Sequence, residues 1–132
     1  MPELIRIVAF LITTKPDAAI AFYRDKMAFK LSSEDDFALV FDANGTMLRV
    51  VKMKKGQFHP APYTVLGWDV ADAAQAVAEL AKRGIAFERY PGMPQDKDGI
   101  WASPGGAKVA WFKDPDGNVL SITEFAPRSD LK

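Results

Sequence analysis

Hydrophobic and polar positions follow one order twice along this chain of 132 residues. In the first half, an apolar run precedes an Ala-rich stretch with apolar positions at helical spacing, and three short apolar runs follow. Short apolar runs bounded by turn residues indicate strands, and a 3.6-residue period indicates a helix. The first half therefore predicts a β-α-β-β-β module over residues 4–53. Its predicted strands are 4–12, 29–33, 37–42 and 46–53, and its helix begins at Pro16 and ends near Met27.

The second half repeats this order over residues 63–125. Val8 aligns with Val65 at an offset of 57 positions, whereas Asp42 aligns with Asp114 at an offset of 72, so the second half holds about 15 extra residues. We assign them to the turn-rich segment 90–106. The predicted strands are 63–70, 86–90, a short one within 99–103, 108–113 and 119–125, and the helix begins after Asp72 and ends before Gly84.

Turn residues separate these elements. Asn44-Gly45 and Asp116-Gly117 are typical of tight hairpins, and Asp72 with Gln75 resembles a helix capping box. Residues 54–62 link the two halves, and 126–132 form a polar tail. The sequence thus predicts a single α+β domain with two βαβββ modules, whose sheets curve around a concave cup and whose helices lie on the outer faces.

Composition narrows the chemistry. The chain has no Cys and one His, which excludes thiolate nucleophiles, Cys–zinc sites and a multi-His metal site within one chain. Its 17 basic and 17 acidic residues give zero net charge, so we expect no nucleic-acid partner. No apolar run is long enough to cross a bilayer or patterned like a secretion signal, so we expect no membrane partner and a cytoplasmic location.

Three segments resemble the vicinal oxygen chelate superfamily, the group of glyoxalase I, bleomycin-resistance proteins and extradiol dioxygenases. They are Ala-Phe-Tyr-Arg-Asp at 21–25, Leu-Gly-Trp-Asp-Val-Ala-Asp at 66–72 and Ala-Trp-Phe-Lys-Asp-Pro-Asp-Gly-Asn at 110–118. The resemblance covers residues 4–125 and implies one glyoxalase-like domain of paired modules enclosing a cup, usually as a dimer. In the enzymes of this superfamily, His, Gln and Glu from the first and fourth strands hold a divalent metal in the cup.

The corresponding positions of this chain are Val8, Arg49, Val65 and Ser121. Valine has no donor atom, arginine is a permanent cation, and serine is a poor ligand. Glu124 is offset from Ser121 by an odd number of positions and is therefore expected to face away from the cup, and His59 lies in the linker. We therefore expect no metal and no cofactor.

Strand alternation places a set of mainly apolar and aromatic residues on the cup, as expected of a small-molecule pocket. Arg49 needs a partner there, either the carboxylate of Asp69 or an anionic group of the ligand, and the sequence leaves both open. Segment 90–106 is a candidate rim or lid, or part of a subunit interface. The candidate ligand-binding residues are Phe10, Arg49, Tyr63, Asp69, Trp101, Trp111 and Ser121.

These observations favour a metal-free protein that binds a small, anionic or aromatic molecule, as bleomycin-resistance proteins do, and that forms a homodimer. The alternative is a glyoxalase- or dioxygenase-like enzyme with an atypical site, for which Asp69, Tyr63 and Glu88 are the nearby candidates for a general base. No catalytic residue is identified. A purely structural dimer module is the third possibility.

Overall fold

The computed structural model describes residues 1–127 and contains two four-stranded sheets, one in each half of the chain. None of the helices in this part of the chain is long and apolar enough to cross a membrane. The strand orders are β1-β4-β3-β2 and β5-β8-β7-β6, which confirms the predicted α+β fold of two modules. The elements are β1 (Val8–Thr13), α1 (Pro16–Ile20), β2 (Lys30–Glu34), β3 (Ala38–Ala43), β4 (Thr46–Lys52), β5 (Thr64–Asp69), α2 (Ala73–Lys82), β6 (Trp101–Ala102), β7 (Lys108–Lys113) and β8 (Val119–Glu124).

The first module closes by a parallel pairing of β1 with β4 and an antiparallel hairpin of β3 with β4. Asn44 and Gly45 both have positive φ, as a tight primed turn requires, so the predicted hairpin is confirmed. Pro16 begins α1, which continues as a π-helical segment, Ala21–Lys26. Strand β1 is shorter than predicted, because residues 4–7 pair with no strand and remain exposed.

In the second module, two carboxylates cap α2. Asp72 accepts a hydrogen bond from the backbone N–H of Gln75 at 3.0 Å, and Glu124 accepts one from that of Ala73 at 2.9 Å. Glu124 thus points toward the helix, as the alternation predicted. The predicted strand 86–90 is wrong: only an isolated bridge from Phe87 to Phe112 forms, since the edge of β7 is otherwise paired with the two-residue β6.

One hydrophobic core joins the modules. Phe22, from the helical segment of the first module, lies 6.2 Å from Phe112 of the second, measured between ring centroids, and Phe29 lies 5.5 Å from Trp68. The same core contains Leu48 and other side chains from the helix-covered faces of both sheets. The helix-covered faces are therefore buried together, which leaves the opposite face of each sheet for solvent or a ligand.

A set of buried and half-buried polar residues also joins the modules. Asp116, in the β7–β8 turn, accepts hydrogen bonds from the backbone N–H and the hydroxyl of Thr14, both at 2.7 Å, and from the hydroxyl of Thr13. Asn118 donates to the carbonyl of Ile12 at 3.0 Å. We call this set, completed by Tyr23 and Asp114, the polar junction, and it fixes the end of β1 against the last turn of the second module.

Candidate ligand-binding site

On the first sheet, the face opposite the helix carries Phe10 and Arg49, which are register partners on β1 and β4. The Phe10 side chain is 60% exposed, although it is large and apolar. Arg49 is half-buried, and within residues 1–127 its guanidinium has no carboxylate within 4.0 Å and no hydrogen-bond partner. The internal pair with Asp69, one of the two alternatives for Arg49, does not form, and Asp69 is exposed.

The positive charge of Arg49 affects the pKa of a nearby carboxylate, Asp35. The pKa of Asp35 is lowered, chiefly by hydrogen bonds from the backbone N–H groups of Phe37 and Ala38, and to a smaller extent by the charges of Arg49 and Lys52. Since Asp35 forms no ion pair with Arg49, the guanidinium keeps its donors for another group.

The second sheet presents an aromatic cluster of Tyr90, Trp101 and Trp111 on the corresponding face. Tyr90 meets Trp111 edge to face at 5.6 Å between ring centroids, and Trp101 lies 6.1 Å from Trp111. Burial and the nearby charge of Glu88 raise the pKa of Tyr90. Glu88, a candidate base in the sequence, lies 3.7 Å from the ammonium group of Lys113. The cluster offers planar apolar surface suited to stacking against an aromatic molecule.

Trp111 is held by a hydrogen bond to Thr64, the neighbour of the predicted site residue Tyr63. Its indole N–H donates to the hydroxyl of Thr64 at 3.1 Å. Because Trp111 is on β7 and Thr64 on β5, the indole reaches across β8, which lies between them. A register irregularity between Thr64 and Leu66 breaks the alternation of β5, so that Thr64 rather than Tyr63 meets Trp111. Tyr63 is 67% exposed, outside the strand.

Beneath the indole, β8 passes close to β5 at Ser121 and Gly67, which are register partners. Ser121 is only 8% exposed. A Cβ atom at Gly67 would lie 2.6 Å from the Ser121 hydroxyl oxygen, so this part of the sheet has no room for a side chain on β5.

Segment 90–106 is held in place by its own polar side chains. The amide of Gln95 accepts a hydrogen bond from the backbone N–H of Tyr90 at 2.8 Å and donates to the carbonyls of Glu88 and Gly99, both at 2.9 Å. Asp96 accepts from the backbone N–H of Ile100 at 2.9 Å. These bonds hold segment 90–106 in place, with Tyr90 and Trp101 beside Trp111.

The predicted site residues therefore fall into two groups, one on each sheet. Phe10 and Arg49 belong to the first sheet, and Trp101, Trp111 and Ser121 to the second. Within residues 1–127, no hydrogen bond, ion pair or ring contact joins the two groups. In the described part of the chain, the two groups of site residues thus make no direct polar or ring contact with each other.

The residues at the four metal-ligand positions do not fit a divalent metal. Val8 and Val65 have no donor atoms, Arg49 would repel a cation, and Ser121 offers only a hydroxyl. In the described part of the chain, no three His, Cys, Asp or Glu side chains lie close enough together to hold a metal ion. His59 is exposed in the linker. We therefore assign no chemical step to a metal at these positions.

Several solved structures share this fold. A bleomycin resistance determinant encoded on the transposon Tn5 aligns with a TM-score of 0.71 at 20% identity, covering 92% of this chain and 98% of that one. TnmS3, an antibiotic binding protein from Streptomyces sp. CB03234, aligns with a TM-score of 0.66 at 22% identity, covering 95% and 100%. Lactoylglutathione lyase from Agrobacterium tumefaciens aligns with a TM-score of 0.66 at 21% identity, covering 93% and 95%.

At these identities the structural likeness shows the fold. A comparison with curated proteins gave no match. A sequence model of one family matches residues 5–122, which span both sheets, the polar junction and segment 90–106. The chain therefore belongs to the Glyoxalase/Bleomycin resistance protein/Dioxygenase superfamily.

Proposed function

We propose that this protein binds a small planar molecule with an anionic group, without a metal ion. The observation that carries the proposal is Arg49, a half-buried cation without an acidic partner in residues 1–127, on a sheet face with exposed Phe10. The guanidinium donors of Arg49 are not used by an acidic side chain of residues 1–127, and their fork geometry suits a carboxylate or a phosphate. The aromatic cluster supplies stacking surface for the planar part of the ligand.

We further propose that the working unit is a homodimer, in which the first sheet of one copy faces the second sheet of the other. Strands β1 and β5 are both sheet edges with one unpaired side. Beside β1, the chain exposes Leu4, Ile5 and Ile7, each at least 80% exposed. Open edges flanked by exposed apolar side chains are typical of surfaces that pair with another chain. Such a dimer would bring Arg49 and Trp111 to one cup. The cytoplasmic location of the protein remains a separate prediction.

A thermal-shift screen with benzoate, salicylate and 1-naphthoate, each beside its uncharged amide, tests the ligand class. We expect the acids to raise the melting temperature of the wild type more than their amides do. The Arg49→Ala variant should lose this preference, whereas Lys54→Ala, which removes an exposed linker cation, should keep it. Equal stabilisation of both variants by the acids would overturn the role of Arg49.

Two further measurements test the remaining parts. Titration with nickel, zinc, manganese and iron(II), after purification without chelator, should show no tight binding, and one equivalent per chain would refute the metal-free proposal. Light scattering on a sizing column should give twice the 14.6 kDa chain mass. Consumption of a bound compound would support the glyoxalase- or dioxygenase-like enzyme instead.

A further inference from the structure

The two modules meet at two junctions that are related by the internal repeat but differ in the side chains that fill them. At the polar junction, the end of β1 and Tyr23 contact the β7–β8 turn. At the second junction, the repeat offsets place Leu80 where Tyr23 stands and Val70 where Thr13 stands, facing the β3–β4 turn. Tyr23 and Thr13 are fully buried, whereas Leu80 and Val70 are half-buried. Leu80 and Val70 have no polar side-chain atoms, so they cannot repeat the hydrogen bonds that Tyr23 and Thr13 make at the polar junction.

Within residues 1–127, no hydrogen bond joins the β3–β4 turn to the other module. Asp42 accepts a hydrogen bond from the backbone N–H of Gly45 at 2.7 Å, within its own turn, whereas its counterpart Asp114 bonds to Tyr23. Asn44, which corresponds to Asp116, is exposed. A cavity of about 300 Å³, open to solvent, lies here and is bounded by this turn, by the end of β5 and by α2.

The lining of this cavity is apolar inside and charged at its rim. Part of the cavity wall is formed by Phe29, Trp68, Leu80 and Ile122. The ring centroids of Phe29 and Trp68 are 5.5 Å apart. Apolar walls with aromatic faces favour a ring-sized hydrophobic group.

Two carboxylates and one guanidinium lie at the rim. Asp69 and Glu79 have no ion-pair or hydrogen-bond partner within residues 1–127. Arg83 donates its hydrogen bond to the carbonyl of Lys26 at 3.2 Å. This bond to a neutral carbonyl leaves the charge of Arg83 in place, so the two carboxylates and the guanidinium sum to one negative charge at the rim. That balance favours a positive group on the molecule that enters, and aromatic walls add cation–π attraction.

We propose that the second junction is a ligand site distinct from the concave faces, and that it takes a small aryl-alkyl amine. The aromatic ring enters between Phe29 and Leu80, and the ammonium group meets Glu79 and Asp69 at the rim. The site requires neither the dimer nor Arg49, so its test is separate from that of the proposed function.

The three tryptophans make this test direct, because Trp68 lines the cavity while Trp101 and Trp111 belong to the aromatic cluster. In a titration of ¹⁵N-labelled protein with 2-phenylethylamine, we expect the indole resonance of Trp68 to shift saturably while those of Trp101 and Trp111 stay in place. Phenylalanine variants of each tryptophan assign the signals. The acid 3-phenylpropanoate, which has a similar shape, should shift Trp68 at least tenfold more weakly.

Variants at the rim and the wall complete the experiment. Glu79→Gln should weaken amine binding severalfold, whereas Glu3→Gln, at an exposed position outside the cavity lining, should leave it unchanged. Leu80→Tyr and Ala76→Leu each place a larger side chain in the cavity and should each reduce binding at least tenfold while the spectrum stays that of a folded protein. Shifts confined to Trp101 and Trp111, no saturable shift of Trp68, or binding unaffected by both cavity-filling variants would each overturn the proposal.

Discussion

The phenol of Tyr23 donates a hydrogen bond of 2.7 Å to the carboxylate of Asp114, from the helix of one module to the last turn of the other. The two residues are 91 positions apart. Burial and the neighbouring charge of Asp114 raise the pKa of Tyr23 well above its usual value, so the phenol stays a neutral donor at physiological pH. The amide of Asn118 donates to the same carboxylate at 2.8 Å. This cluster therefore holds the modules in one relative orientation.

Removing the phenol hydroxyl should destabilise the fold. Tyr23→Phe keeps the ring packed against Phe22 and Phe41 but deprives a buried carboxylate of one donor. Hydrogen bonds to charged groups contribute about 1.5–3 kcal/mol, and we expect a loss of this order in the free energy of unfolding measured in urea. Tyr63→Phe removes a hydroxyl from an exposed tyrosine and is the matched control. A Tyr23→Phe protein as stable as this control would contradict a stabilising role for the bond.

Asp114 makes this junction sensitive to pH. Burial raises its pKa, and the hydrogen bonds from Tyr23 and Asn118 oppose this effect without cancelling it. Because the folded state then keeps the proton at pH values where the unfolded chain has lost it, the contribution of Asp114 to stability is greatest below about pH 4. That contribution declines as the pH rises through the raised pKa.

The Asp114→Asn variant isolates this effect. We expect the unfolding free energy of the wild type minus that of Asp114→Asn to decrease as the pH rises above about 4, since all other groups titrate alike in both proteins. Urea unfolding at half-unit steps from pH 3.5 to 7 measures it. A difference that grows with pH would mean that the hydrogen bonds lower the pKa of Asp114 more than burial raises it.

Sequence patterns predicted the modules well because each depends on local signals. The turn at Asn44-Gly45 and the cap at Asp72 are encoded by a few neighbouring residues, and both are present. The segment 110–118 indicated the family, yet nothing local showed that its Asp114 and Asp116 bond to residues about 100 positions away. Such partners depend on how the modules pack, which no periodicity records.

The candidate site was harder to predict for the same reason. Alternation assigns Tyr63 to the cup, but one irregular position in β5 exchanges it for Thr64, the partner of Trp111. The pattern also gave no information on how the two modules pack, whereas the structure shows one core shared by their helix-covered faces. A bulge and the packing of the two modules both change which side chains meet. Neither is visible in the order of hydrophobic and polar positions along the chain.

The caps of the two helices should contribute unequally to stability. Asp72 accepts a hydrogen bond at the N-terminus of α2, whereas Lys15, at the same position of α1, makes no side-chain cap. Loss of an N-cap side chain costs about 1 kcal/mol. We therefore expect Asp72→Ala to lower the free energy of unfolding by about that amount and Lys15→Ala to change it by less than about half as much. Equal effects of the two substitutions would show that the Asp72 cap is replaced by Glu124 or water.

Ser121 should require glycine at position 67, because its hydroxyl occupies the space that a side chain there would need. An added Cβ would lie 2.6 Å from the Ser121 hydroxyl oxygen and 3.3 Å from its backbone oxygen. Overpacking of this kind costs about 1–3 kcal/mol, so Gly67→Ala should destabilise the protein in thermal and urea unfolding. Because the closer contact is to the hydroxyl, Ser121→Ala in the same chain should recover part of the loss, and Ser121→Ala alone should be nearly neutral. Additive effects of the two substitutions would instead assign the cost to the backbone of β8, since only a direct side-chain contact makes them couple.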